Sequence, residues 1–350
     1  MTRSALPCGG YVIPLCKLGE SAVGDSKRKE PTALRVADAR VAGTAAAMLS
    51  AIQLLRKGHS AKTLLPFVGL GPSAADALGI VDKFGDALAG KGVSPEKSSF
   101  LERVEAVYAE AATQTVIDLR NVPVAKATVG VEMRFDLKNA RSIEFLKDYN
   151  FSLVLQVSTR TIEGIRQAIA DGQTMGLAPR KQAERIAEFI GLTVEQANAV
   201  DNYRYALQLG NYQDALRRQL RDKRSDRTLQ RNALNGTKLT AAQIDKLVGH
   251  YEDRMIRYRA MMIARTETLR AANYGTREAW LQAQEQKLIA ADAKKILVIT
   301  RDERLCEFCL ETKRINAAGV LLSSPFMTPS GPMDGPPFHP HCRCTIALAG

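Results

Sequence analysis

Near the C-terminus, two short clusters crowd together residue types that the chain otherwise uses sparingly. Cys306-Glu-Phe-Cys309 is followed, after a Gly/Pro/Ser-rich stretch, by His339-Pro-His341-Cys342-Arg-Cys344, in a 350-residue chain with only four histidines and six cysteines. Ahead of the first cluster, "ILVIT" reads as a buried strand, and "TIAL" (345–348) after the second reads as its partner. Between them, "AAGVLLSSPFMTPSGPMDGPP" offers little regular core, so a lobe built this way needs a cross-link. A C-x-x-C turn aims two thiolates at one ion, and a second pair closes the tetrahedron that zinc prefers. A structural zinc is therefore expected on Cys306, Cys309, Cys342 and Cys344, tying the two ends of a long loop. Free or packed thiols and redox chemistry are the alternatives. If Cys342-Arg343-Cys344 is extended, its two sulfurs point to opposite sides, and His339 or His341 replaces one of them. Cys8 and Cys16 are too far apart for a knuckle and read as ordinary thiols.

The rest of the composition favours helix. Aromatics make up 6% of the residues and alanine is abundant. No run is long and apolar enough to span a membrane, because "VAGTAAAMLSAIQLL" (41–55) stops at Arg56-Lys57. Pro7 and Pro14 interrupt the N-terminal segment, which is expected to be no signal peptide. Synthesis in a reducing cytoplasm follows, and clustered cysteines there favour metal over disulfides.

Along the chain, residues 1–32 read as a flexible arm with Gly9-Gly10 and a charged run. Residues 33–150 read as Ala-rich and mostly helical, of unknown topology. Helices are expected over 34–57, over 72–90 with Ser73 as cap, and over 94–119 with Ser94 as cap and Pro95 in the first turn. One or two strands are expected within 126–137. Residues 158–200 read as three short helices, with Ile162, Ile165 and Ile169 striping the first. Pro179 and Gly191 bound the second, and Thr193 and Gln196 stand at capping-box spacing for the third. This stack is the first part of a helical bundle over 158–238. A long helix over 239–288 follows, opened by Thr240 and Gln243. Ile244, Leu247, Val248, Tyr251, Met255, Tyr258 and Met262 form its core stripe, and Gly249 and Gly275 are expected to break or bend it. His250 has no Cys or His nearby and reads as structural. The last segment, 239–350, joins this helix to the Cys/His lobe. The fold class is thus mainly α, with a small C-terminal α+β lobe.

The net charge is +12. Its densest window is 217–231, where Arg217, Arg218, Arg221, Lys223, Arg224, Arg227 and Arg231 face only Asp222 and Asp226. A polyanion is the natural partner for such a strip, and non-specific contact with duplex DNA is one expectation. No aromatic residue interleaves the cations, so base stacking is not indicated. A solvated helix face is the alternative.

Three segments in order, "ARTETLRAANYG" (264–275), "DERLCEFC" (302–309) and "PPFHPHCRC" (336–344), resemble the phage head morphogenesis proteins, the Mu F-like minor head proteins. The family's Ala-Arg-Thr-Glu helix falls on Arg265, Thr266 and Glu267. Its Asp-x-Arg-x-Cys-x-x-Cys turn falls on Asp302, Arg304, Cys306 and Cys309. Its closing His-Pro-x-Cys-Arg-Cys falls on His339, Pro340, Cys342, Arg343 and Cys344, which ranks His339 above His341 as a ligand. The resemblance covers roughly 158–348. It departs at a basic insertion, about 204–240, and over 1–150. It implies a protein of the virion, inside the head near the portal, acting in head assembly with portal or major capsid protein and packaged DNA as partners, and sometimes ejected with the genome.

An Arg–carboxylate network joining the helix to the lobe is the expected role of Arg265 and Glu267, with Asp302 or Arg304 pairing Glu267. The alternative function is a metal-dependent nuclease using His339, His341 and the cysteines. A third is a transcription or replication protein, for which no sequence-reading motif is present.

Overall fold

In a computed structural model of the chain, the described residues are 30–59, 61–64, 79–92, 98–120, 135–175, 178, 183–184, 187, 190–300 and 305–349. They are mainly helical and fall into two compact units. The smaller spans Asn198–Arg254, and the larger joins Glu30–Ala197 to the residues from Met255 onward. Cys8, Cys16, Ser73, Ser94, Pro95, Pro179, Asp302 and Arg304 lie outside the described residues. No described helix is long and apolar enough to cross a membrane.

The larger unit begins with α1 (Thr32–Gly58), followed by α2 (Ala61–Leu64), α3 (Ile80–Leu88) and α4 (Phe100–Arg120). Val36, Met48, Ile52 and Leu55 are buried along α1, among alanines small enough to bring neighbouring helices close. Arg56 and Lys57 occupy its last turn, where cations suit the helix dipole. Arg40 pairs with Glu110 at 2.7 Å and Arg35 with Asp118 at 3.2 Å, which sets α1 antiparallel to α4. The helix expected from Ser94 starts later. Ser99 and Glu102 form the reciprocal cap, with Ser99 N donating to the Glu102 carboxylate at 2.8 Å and Glu102 N to Ser99 Oγ at 3.2 Å. The strand expected at 126–137 falls mostly outside the described residues, and 135–137 are not strand.

The first of the three short helices expected at 158–200 is instead part of the 35-residue α5 (Ala140–Thr174). Its Ser/Thr-rich stretch does not end it, because that stretch packs. Ser158, Thr161 and Ile165 are buried, and Arg259 donates to Thr161 Oγ1 at 3.4 Å. Local propensity yields to tertiary contacts there. Gly191 ends the next segment with a φ of +90°, and a Cβ there would press on Ile52. Thr193 and Gln196 form the expected capping box at the start of α6 (Val194–Leu209).

The smaller unit takes the C-terminal part of α6, then α7 (Tyr212–Arg217), α8 (Asp226–Asn235) and the first turns of α9 (Ala241–Glu285). Tyr203 stacks on Tyr251 at 4.5 Å. Tyr212 donates its hydroxyl to Thr237 O and accepts from Leu239 N, both at 3.0 Å. The Thr240/Gln243 box opens α9, which then runs 45 residues without a break at Gly249 or Gly275.

In the larger unit, α9 lies against α4 and α5. Ala279 and Ala283 share a core cluster with Ala112 and Val116, and Thr115 donates to Thr276 at 3.1 Å. Arg141 of α5 forks onto Glu278 at 3.0 and 3.2 Å. After α9 comes the lobe: β1 (Lys294–Val298), α10 (Glu307–Ile315), β2 (Val320–Leu321), β3 (Phe326–Thr328), β4 (Gly331–Met333) and β5 (Thr345–Leu348). The sheet order is β2-β1-β5, antiparallel, with Ile296 opposite Ala347, so "ILVIT" and "TIAL" do pair. β3 and β4 form a separate hairpin. Trp280 of α9 packs into the lobe core with Leu297, Phe326, Phe338 and Ile346.

Candidate metal centre

The lobe brings its two cysteine clusters together at the start of α10. Cys306 is the N-cap of that helix, and its sulfur accepts from Cys309 N at 3.4 Å. That cap turns both thiols of the C-x-x-C toward the closing segment. His339 places Nε2 3.1 Å from Cys306 Sγ and 3.2 Å from Cys309 Sγ. Its other nitrogen, Nδ1–H, donates to Pro340 O at 2.8 Å. A carbonyl can only accept, so the neutral ring carries its lone pair on Nε2, the orientation of a metal-ligating imidazole. Cys309 Sγ lies 3.7 Å from Cys342 Sγ.

Among the described residues, two overlapping groups could hold a metal ion: Cys306, Cys309 and His339, and Cys309, Cys342 and Cys344. Within each group the donor atoms lie within 4.8 Å of one another. Cys342 and Cys344 therefore both reach Cys309, ahead of strand β5, which begins at Thr345. Cys309, Cys342 and Cys344 are buried, and Cys306 is half-buried.

The electrostatics are those of one thiolate shared among donors. Hydrogen bonds from Cys309 and Cys344, with His339, hold the Cys342 thiol well below its ordinary range. The hydrogen bond to Cys342, then that to Cys344 and burial, push Cys309 up; Cys344 is raised despite the hydrogen bond to Cys309, by its hydrogen bond to Cys342 and by burial. The hydrogen bond to Cys342 raises His339 to about 9 against the cost of burial. A divalent cation bound here would replace these protons.

His341 turns away. With a φ of +64°, it puts Nε2 3.1 Å from the Tyr258 hydroxyl of α9. Burial, then the charges of Arg265 and His339, push it down. Glu267, buried, accepts from Arg270 Nε at 3.1 Å. The expected pairing with Asp302 or Arg304 involves residues outside the described ones.

The basic segment is partly neutralised within its own unit. Arg218 pairs with Asp214 at 3.0 Å, Arg221 with Asp226 at 2.8 Å and Arg224 with Asp222 at 2.8 Å. Asp222 is buried, and it also meets Arg254 and His250 at 3.1 Å, which makes it the hub of the unit. The Arg224 hydrogen bond, helped by Arg254, holds its carboxyl below the usual carboxylate range. Arg217, Lys223, Arg227 and Arg231 are exposed.

Two residues that hold the centre have no signal in local sequence. Asn273 of α9 donates to Pro336 O at 3.1 Å and accepts from Thr345 Oγ1 at 2.7 Å and Ile346 N at 3.2 Å. It clamps both flanks of the His339–Cys344 segment to the helix. Lys295 of β1, fully buried, donates to Leu322 O at 3.0 Å and pins the irregular loop. Among known families, the model described as Phage Mu protein F like protein matches residues 160–347. No curated protein and no solved structure matches the chain.

Proposed function

Since the chain belongs to the Phage Mu protein F like family, we propose that it is a structural component of a phage head. It acts in head assembly inside the head near the portal, through contacts with portal or capsid protein. Its C-terminal lobe holds one zinc as a structural staple. The observation that carries this reading is that the family match over 160–347 ends on the residues that build the Cys/His centre.

The donor set suits zinc. With Zn–S bonds of about 2.3 Å, a tetrahedral site has S···S edges of about 3.8 Å. The Cys309–Cys342 separation of 3.7 Å fits such an edge. Cys306, Cys309, Cys342 and His339 would hold the ion, with Cys344 as the reserve or outer thiol. A hydrolytic metal site needs an open coordination position and a free base. Here the described Cys and His donors fall into two overlapping groups that share Cys309, and His341, in neither group, is engaged by Tyr258. This supports a structural reading over a nuclease.

A second reading gives the basic segment to packaged duplex DNA. It is favoured by Arg217, Lys223, Arg227 and Arg231, which face solvent with no carboxylate partner among the described residues. Such binding would be insensitive to sequence and fall steeply with salt. The decisive experiment is analysis of purified, nuclease-treated particles. The chain should be found inside full heads with one zinc per copy, and its absence from particles would overturn the reading.

A further inference from the structure

The closing motif folds back on itself in a single turn. Cys342 N donates to His339 O at 3.1 Å, with Pro340 second and His341 third between them. Proline second and a positive φ third is the pattern of a type II turn, whose first and last Cα atoms lie within about 7 Å of each other. The φ of +64° at His341 meets that demand. The ends of the turn, His339 and Cys342, are the two donors that the proposed ligand set takes from this segment. Both reach the same thiol: His339 Nε2 lies 3.2 Å from Cys309 Sγ, and Cys342 Sγ lies 3.7 Å from it. The turn therefore decides whether the motif presents both donors to one ion.

Glycine takes a left-handed third position freely, and histidine takes it less readily. Here the third residue carries a ring, and the ring is held. Its Nε2 is 3.1 Å from the Tyr258 hydroxyl, and the two ring centroids lie 5.6 Å apart. Tyr258 stands about four helical turns before Asn273 on α9. Asn273 bonds Pro336 O ahead of the turn and Thr345 and Ile346 behind it. Its contacts flank the turn, whereas Tyr258 grips the middle. His341 belongs to neither group of metal donors among the described residues.

We infer that His341 and Tyr258 are a positioning pair for the metal, an inference that rests on the structural-zinc reading. The ring is not a ligand. Anchored on α9, it holds the left-handed turn in the conformation that offers His339 and Cys342 to the ion together, so both donors are preorganised. Without the anchor the turn is free to leave that conformation, and one donor must be ordered as the ion binds.

The test is the zinc affinity of the full-length chain, measured by competition with a chromogenic chelator. Tyr258→Phe removes one hydroxyl and leaves the ring. His341→Ala removes the anchor and keeps every proposed donor. Each should weaken zinc binding about 10- to 100-fold, the range for residues that orient a metal ligand. The double variant should be no weaker than His341→Ala, because both changes break one contact. His341→Gln, whose amide takes the place of Nε2, should recover most of the loss. With cobalt in place of zinc, the parent and His341→Ala should show the same d–d and thiolate charge-transfer bands, because the ligand set is unchanged. Parental affinity in either single variant would overturn the inference, as would fully additive losses in the double variant. Altered cobalt bands in His341→Ala would make His341 a ligand and overturn it equally. If the parental chain takes up no zinc, the zinc reading fails and takes the inference with it. A chain that binds zinc as tightly in every variant as in the parent sinks the inference alone.

Discussion

Gly275 of α9 sits directly against the backbone carbonyl of Tyr108 in α4, so close that a Cβ would overlap the oxygen. Gly249 in the same helix has nothing within 4 Å of where its Cβ would be. One residue type thus serves two situations. Gly275→Ala gains helix propensity but must push two helices apart, and overpacking of this kind costs about 1–3 kcal/mol. Gly249→Ala carries only the propensity gain and should stabilise by about 0.5–1 kcal/mol. Denaturant unfolding of both variants checks the opposite signs. A stabilised Gly275→Ala would mean that the helices do not meet as described.

A second expectation concerns Lys295. Its ammonium is fully buried, donates to Leu322 O and Asp334 O, and lies 5.2 Å over the Phe326 ring. Burial, assisted by Arg277, pushes it down to about 7. The unfolded lysine titrates near 10.4, so between about pH 7 and about 10.4 the unfolded chain binds more protons than the folded one. The contribution of this group to stability therefore rises with pH across that window, by up to about 1.4 kcal/mol per pH unit. Lys295→Met keeps the volume and leaves Leu322 O bonded to Arg277 Nε at 2.9 Å. The difference between parent and variant should slope over pH 7 to 10. Parallel stability curves would refute the depressed lysine.

Zinc removal should act locally. Cys306→Ser with Cys309→Ser should lose the metal and open residues 295–349 to protease, while the helical part stays resistant. His339→Ala should weaken binding, and on the proposed ligand set of Cys306, Cys309, Cys342 and His339 a Cys344→Ser variant should retain the ion. Metal content by mass spectrometry and limited proteolysis decide. A metal-free parent with a resistant lobe would end the staple proposal.

What could be read in advance depended on the range of the interaction. The Thr193/Gln196 and Thr240/Gln243 boxes are complete within four residues, and both form. The Cys/His centre was legible because each cluster has ligand spacing of its own. The basic insertion corresponds to a unit that closes on itself around Asp222. The misreadings lie where a distant residue decides. Gly275 looked like a helix breaker because Tyr108 is far away in sequence. Ser94 and Pro95 are a sound start signal, but Ser99 and Glu102, five residues later, are the pair that caps. The segment from Ser158 looked like a short helix because nothing nearby shows that Thr161 is held by Arg259. Asn273 and Lys295 gave no signal, since both act by bonding backbone carbonyls of the lobe.

Glu267 is where the structural and catalytic readings part most sharply. It lies in the Ala-Arg-Thr-Glu segment, buried, with Arg270 Nε at 3.1 Å. Arg270 is one turn away on the same helix, so the pair braces α9. Glu267→Gln preserves size and hydrogen-bonding shape and removes the charge. A structural Glu267 should then cost about 1–3 kcal/mol, the range of a charged hydrogen bond. Folded variant should still enter heads and yield infectious particles. A catalytic Glu267 predicts the reverse: parental melting, parental copy number per head and non-infectious particles. Stability, copy number and infectivity measured on the same preparation distinguish the two. A stable, fully packaged, non-infectious Gln variant would overturn the assembly reading in favour of chemistry at α9.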